Sequence, residues 1–265
     1  MVSFFDNKTI RIKKILSIAL IIFGFYITLS ILSNTFDGDL GWHLRFGQDA
    51  WNNNFQYTDN YTWGYLGNNW INHEWGGDLV FWFLYNNFGY FSLNIFIAIF
   101  LWTGFLSINK VFRTNSRLTT ASILISVLAL ISVKFITVTR LAMLGPIFLV
   151  WLLWTLERIP DKKTYCWWPL ILWLWSFFHG SWILGFIVIN IYLVGNLIIK
   201  IFEHKNNKTF NYGWSWITIR TTIIWQIISG SAIMINPYGY KIWMEVFRYF
   251  GNNFYKLHIT EWLAS

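Results

Sequence analysis

The chain is poor in charge, proline and cysteine, and each shortage excludes a class. Charged residues fill 12% of its 265 positions, about half the share of a typical soluble domain, so a water-facing globule is excluded. Only four prolines accompany 55% hydrophobic residues, which excludes a disordered chain, since disorder needs low hydrophobicity. Cys166 is the sole cysteine, so no intrachain disulfide framework exists. Neither an internal repeat nor a low-complexity linker divides the sequence. What it has in abundance is apolar and aromatic side chains, the latter 22%, gathered in long runs. The composition is that of a single integral membrane domain over residues 1–265.

The expected fold class is all-α, a polytopic transmembrane bundle of about seven spans. A crossing helix needs about 20 mostly apolar residues. The candidate runs are Ile15–Ser33, Tyr90–Ile108, Leu118–Val133, Leu141–Leu156, Trp168–Phe178, Ser181–Phe202 and Trp216–Ile235. Trp168–Phe178 is too short to cross comfortably alone and reads as a segment leaning on a neighbour or re-entering inside protein. The first run follows Lys8, Arg11, Lys13 and Lys14 but outlasts a signal core and lacks a small-residue cleavage site, so it reads as an uncleaved anchor.

Lysine and arginine in short loops mark the cytoplasmic side. With the N-terminal tail (1–14) inside, the cytoplasmic segments hold fourteen basic residues against Asp6, Glu157, Asp161 and Glu203. The other face keeps six basic residues against eight acids. The formal charge of +8 is therefore an orientation signal facing anionic lipid, and no nucleic-acid partner is expected. The expected location is a multi-pass plasma-membrane protein with the first loop and the 236–265 segment extracytoplasmic.

That first loop, 34–77, is unusual. It carries Asp37, Asp39, Asp49, Asp59 and Glu74, two histidines and five tryptophans, whereas plain connectors are short. Asp37-Gly38-Asp39 can hold a divalent cation such as Mg or Mn through hard oxygens, or one carboxylate can act as general base while the other orients it. The plainer reading is a helix N-cap. An amphipathic interfacial helix follows, with Leu40, Leu44, Gly47 and Trp51 on one face, and His43 is spaced to share a face with Asp39. Asn72-His73-Glu74-Trp75 is a second polar cluster, suited to acid/base or metal work or equally to a solvated loop. Asp78 opens a second amphipathic stretch running to Phe88. Arg140 precedes a span, as a substrate-facing cation or a snorkelling anchor. His179-Gly180 lies between two apolar runs, where a histidine needs a partner. Asn236-Pro237-Tyr238-Gly239 reads as a helix stop, with Lys241 just beyond, and Glu261-Trp262 has no independent signal. The common side matters more than any single residue.

The order of these pieces resembles the GT-C superfamily of polytopic glycosyltransferases, in particular uncharacterised bacterial and archaeal members. Their first loop reads approximately Asp-x-Asp-Leu-Trp-Trp-His-Leu, then Gly, Thr-Asp and His-Glu-Trp. Here the stretch is Asp37-Gly38-Asp39-Leu40-Gly41-Trp42-His43-Leu44, then Gly47, Thr58-Asp59 and His73-Glu74-Trp75. A later Trp-Ala-Asn-Leu-His-Gly pattern corresponds to Trp175-Ser176-Phe177-Phe178-His179-Gly180. Such relatives commonly run on for several helices beyond Glu-Trp, so a short or truncated form is expected. The resemblance implies inverting transfer of a sugar from a polyprenyl-phosphate donor to a glycan, lipid or protein acceptor at the outer face. Asp37 or Asp39 would be the base, with His73 and Glu74 beside it. Arg140, helped by His179 or Lys241, or a metal held by Asp37 and Asp39, would stabilise the leaving phosphate. His43 and Tyr238 would contact substrate. Two other classes compete. A lipid or solute transporter would place charges in mid-span, where they are essentially absent; a noncatalytic scaffold or partial copy would suit the short length.

Overall fold

The computed structural model describes residues 2–33, 37–64, 66–111, 127–128, 139–159, 163–206 and 213–251. Among them the chain is helical. The helices are α1 (Val2–Ser33), α2 (Leu40–Trp51), α3 (Trp75–Phe88), α4 (Tyr90–Val111), α5 (Gly145–Leu156), α6 (Trp168–Phe178), α7 (Ile183–Asn206), α8 (Trp216–Ile233) and α9 (Lys241–Gly251). Short 3-10 turns at Leu141–Leu144, Thr164–Trp167 and Gly180–Trp182 lead into α5, α6 and α7. Pro146 and Pro169 stand in the first turns of α5 and α6, where a missing N–H costs nothing. An isolated antiparallel bridge joins Thr58 to Asn69 in the first loop.

Three helices are long and apolar enough to cross a membrane: Lys14–Ser33, Tyr90–Ile108 and Gly180–Asn206. Their exposed faces carry Ile15, Ile22, Phe23, Ile191, Val194 and Ile201; exposed apolar surface on this scale marks an interaction face, whether for protein or for membrane. The other expected runs fare differently. Leu141–Leu156 is a shorter apolar helix, and α6 has 11 residues, which rise about 16 Å against a hydrocarbon core of about 30 Å. Helix α8, with Arg220, Gln226 and several hydroxyl residues, is 18 residues long but not apolar enough to join the three. Leu118–Val133 lies outside the described residues except for Val127 and Leu128. The basic segment ahead of the first span is helical and continuous with it, forming the beginning of α1.

Helix α1 packs on α4, α4 on α5, α6 on α8, and the α2–α3 pair rests on α4 and α6. The core is large and aromatic, with Trp168, Trp175, Trp182, Phe81 and Phe148 fully buried. Buried indoles usually find an acceptor, and hydroxyls supply it for two of them: Trp168 Nε1 donates to Thr155 Oγ1 at 2.7 Å and Trp102 Nε1 to Thr28 Oγ1 at 3.0 Å, whereas Trp182 Nε1 is buried without a hydrogen-bond partner. The second bond ties α1 to α4, one turn along from a close crossing. A Cβ added at Gly24 would meet the Trp102 ring at 2.2 Å. Gly24→Leu is therefore expected to lower stability in detergent by about 1–3 kcal/mol through overpacking. Gly195→Ala, with nothing within 4 Å of the new Cβ, should show no loss in the same denaturation series.

Candidate functional site

The polar residues singled out along the sequence come from distant points of the chain and meet where α2, α3, the α6–α7 joint and the segment before α5 converge. Helices α2 and α3 touch backbone to backbone, because a Cβ at Gly47 would lie 2.2 Å from the carbonyl oxygen of Asp78. The buried side of α2 carries Leu40, His43, Phe46 and Gly47. Of the expected face of Leu40, Leu44, Gly47 and Trp51, the first three thus lie inward, Leu44 packing on the core, and Trp51 is exposed. His43 joins the inner face against α3, because its ring has an acid waiting there.

That acid is Asp78, fully buried, with Oδ1 2.6 Å from His43 Nδ1 and Oδ2 accepting from Asn72 Nδ2 at 2.6 Å. Asn72 also accepts the backbone N–H of Glu74 at 2.9 Å. Across the imidazole, His43 Nε2 lies 3.3 Å from Glu74 Oε2. The other Glu74 oxygen, Oε1, lies 3.4 Å from His179 Nε2. His179 ends α6 in an extended conformation, and its Nδ1 accepts the Ser181 N–H at 3.1 Å. A neutral His179 therefore carries its proton on Nε2, facing Glu74. Ser181 Oγ, 2.7 Å from the same Nδ1, accepts from the Trp175 indole. The result is a continuous polar chain, Asn72–Asp78–His43–Glu74–His179–Ser181, threaded through an apolar core.

In front of it stand the two aspartates and Arg140. Asp39 takes the N-cap position of α2 but makes no side-chain cap bond, so the N-cap reading does not describe it. Its Oδ2 instead accepts from an Arg140 terminal nitrogen at 2.9 Å, and Arg140 Nε lies 3.8 Å from Asp37 Oδ2. Exposure falls steadily inward: side chains are 48% exposed at Asp39, 32% at Arg140 and 28% at His179, but 7% at Glu74, 2% at His43 and 0% at Asp78. The mouth is charged and the interior sealed.

Burial sets the protonation of the inner groups. It pushes the Glu74 carboxyl up to about 8 and likewise raises Asp78. Burial alone would depress His43, but the hydrogen bond to Asp78 and the charges of Asp78, Glu74 and Asp37 raise it. His73 is pushed down to about 4 by burial and by His43. His179 falls to about 3 through burial and the nearby charges of His73, Arg140 and His43. At neutral pH, Glu74 is thus a proton donor set between two imidazoles, a carboxyl tuned near working pH as acid/base chemistry requires.

The remaining expected residues are placed as follows. His73 turns its ring toward His179, centroids 6.1 Å apart, and its Nδ1 is buried without a hydrogen-bond partner. Tyr238 is buried against Phe55 and Tyr57 and donates to the Gln56 carbonyl at 3.4 Å, so it props the first loop, and it lies beside the Asn72 backbone within electrostatic reach of Asp78. Lys241 is exposed at the start of α9, and among the described residues no ion pair links it to the site. Glu261-Trp262 lies outside the described residues. Among the described residues no group of three or more His, Cys, Asp or Glu is arranged to hold a metal ion. Asp37 and Asp39, expected as its ligands, are engaged by a guanidinium whose charge opposes a second cation, so they do not fit a resident metal as placed.

Asn72, Asp78 and Ser181 were not singled out as site residues by sequence reasoning. Asp78 had a signal: an acid in the first turn of an apolar helix, preceded by Gly76-Gly77, needs a partner and has been given room for one. Asn72 was visible as part of a motif but not as a ligand of Asp78, and Ser181 carried no signal.

The raised Glu74 value gives a pH prediction with a definite sign. Its folded pKa exceeds the ordinary 4.5, so its contribution to stability is complete below that value and is lost as pH rises through about 8. A protonated-carboxyl infrared band should persist at pH 7, vanish above pH 8, and be missing from Glu74→Gln, whose stability should fall less over this range.

No family model, curated protein or solved structure matches the chain.

Proposed function

We propose that this chain is an inverting membrane glycosyltransferase that moves a sugar from a polyprenyl-phosphate donor to an acceptor at the extracytoplasmic face. The observation that carries the reading is the joining of Asp39 and Arg140, a half-exposed carboxylate and a cation, directly in front of a buried, protonatable Glu74 flanked by imidazoles. Spanning helices on either side give a lipid-linked donor its place: the tail lies along apolar surface such as that of α1 and α7, and the phosphosugar stands at the mouth. The basic segments ahead of the first span and after α7 put the opposite ends in the cytoplasm. The seven-span count belongs to this proposal: α5, α6 and α8 stand beside the three long helices, and Leu118–Val133, which lies outside the described residues except for Val127 and Leu128, is the seventh.

The chemistry follows from the geometry. Asp39, the most exposed carboxylate of the group, takes the proton of the acceptor hydroxyl. The hydroxyl oxygen bonds to the anomeric carbon from the face opposite the phosphate, and the bond to the phosphate oxygen breaks with inversion. Negative charge grows on the departing lipid phosphate, where a fixed cation is most valuable; Arg140 supplies it. Phosphate binding at Arg140 weakens its hold on Asp39, so donor arrival itself releases the base. Glu74 and His179, just behind, hold a proton within reach of the leaving group. A divalent cation at Asp37 and Asp39 would be an alternative source of positive charge only if Arg140 moved away.

Asp39→Asn should leave the protein inserted and folded but slow sugar transfer by about a hundredfold or more. Membranes containing the chain, supplied with polyprenyl-phosphate sugars, provide the assay. Wild-type transfer by this variant would remove Asp39 as the base.

A further inference from the structure

Beside the charged mouth, on the opposite face of α2, lies an open groove of about 690 Å³. Arg45 and Asp49 line it at helical spacing from Gly41, together with Trp42, and Gln56, Asn60 and Tyr61 of the first loop complete the lining. The volume is within the usual range for small-ligand sites. Residues 41, 45 and 49 follow one stripe of the helix, while His43 and Gly47 point the other way, into the core. The groove is therefore separate from the buried proton chain.

Its lining is polar without net charge. Arg45 Nε donates to Asp49 Oδ2 at 3.2 Å, and the Tyr61 hydroxyl donates to the same oxygen at 3.0 Å. Both bonds fall on Oδ2 and leave Oδ1 as an acceptor. Asn60 Nδ2 donates to Gln56 Oε1, and Gln56 Nε2 to the Asn54 carbonyl at 3.0 Å, which fixes the amides while leaving further donor and acceptor positions open. The loop wall is preorganised: Asp59 accepts the backbone N–H groups of Tyr61 and Thr62 at 2.9 and 3.0 Å. Phe46 and Trp70 brace Tyr61 from below at 6.3 and 5.8 Å. Burial and Asp49 push the Tyr61 phenol up, so it remains a donor.

A phosphate or acidic ligand needs an uncompensated cation, and Arg45 is compensated by Asp49. A lipid chain needs a predominantly apolar lining, and this one is predominantly polar. Paired donors and acceptors on planar amides and a carboxylate, beside the rings of Trp42 and Tyr61, match the vicinal hydroxyls and C–H face of a pyranose. We infer that this groove binds a neutral carbohydrate and seats the acceptor glycan. Asp39 is six residues from Arg45 along α2, about 9 Å of helical rise, so a saccharide lying in the groove can present a hydroxyl at the mouth. Its role as an acceptor seat rests on the glycosyltransferase reading; its affinity for carbohydrate does not.

Saturation-transfer NMR on the full chain in detergent, with a panel of neutral linear hexose tri- and tetrasaccharides, tests this. At least one should bind, and Asp49→Asn and the exposed Asn60→Ala should each weaken it about tenfold or more. Asp39→Asn should keep the binding while losing transfer, which separates failure of the groove from failure of the catalytic proposal. Absence of binding by the whole panel, or binding unchanged in both groove variants with their folding intact, would overturn the inference.

Discussion

Three ionisable side chains buried in contact, Asp78, His43 and Glu74, are the constraint around which this end of the molecule is built. Burying an isolated charge is prohibitive, so each of the three is tolerable only while the others are in place. Removing one partner of such a group costs several kcal/mol, because the survivor is left uncompensated. The requirement is geometric as well as energetic. It fixes the crossing of α2 on α3, where Gly47 lets the backbones touch, and through His179 it fixes the α6–α7 joint to the same point.

Positioning of the mouth follows from that anchor. Once α2 is locked by His43, its first residues carry Asp39 to Arg140, which enters from the start of the next helical segment. The same lock exposes the outer stripe of α2, so one short helix separates a sealed proton-holding interior from an open polar groove. The tryptophans of the loop serve both sides. Trp42 stacks on His43 with centroids 3.7 Å apart, while its neighbours hold the loop wall. Protonation of the inner groups is set by burial together with their mutual charges and hydrogen bonds, and the reactivity proposed for the site depends on it.

Much of this was legible in the sequence. Low charge and long apolar runs gave the helical membrane class, and the boundaries of Trp168–Phe178 were read without error. The grouping of Asp37, Asp39, Glu74, Arg140 and His179 also followed, because expensive polar residues flanking apolar runs must find one another. Less visible was which pairs form. Asp39 looked like an N-cap because caps depend on local sequence, whereas its actual partner is 101 positions away. The face of α2 was read only in part: Leu40 and Gly47 are buried and Leu44 packs on the core, but periodicity could not know that His43, with a buried acid opposite it, belongs to that inner face while Trp51 does not. Of the seven expected spans, three are long and apolar enough to cross among the described residues; short apolar helices that pack on neighbours look, residue by residue, like spans.

A double-mutant cycle on His43→Gln and Asp78→Asn, read as stability in detergent, tests the central interaction most directly. The account predicts that the two substitutions are strongly non-additive, with a coupling of about 1–3 kcal/mol. Additivity to within about 0.5 kcal/mol would show that the two side chains do not act as a unit and would contradict it.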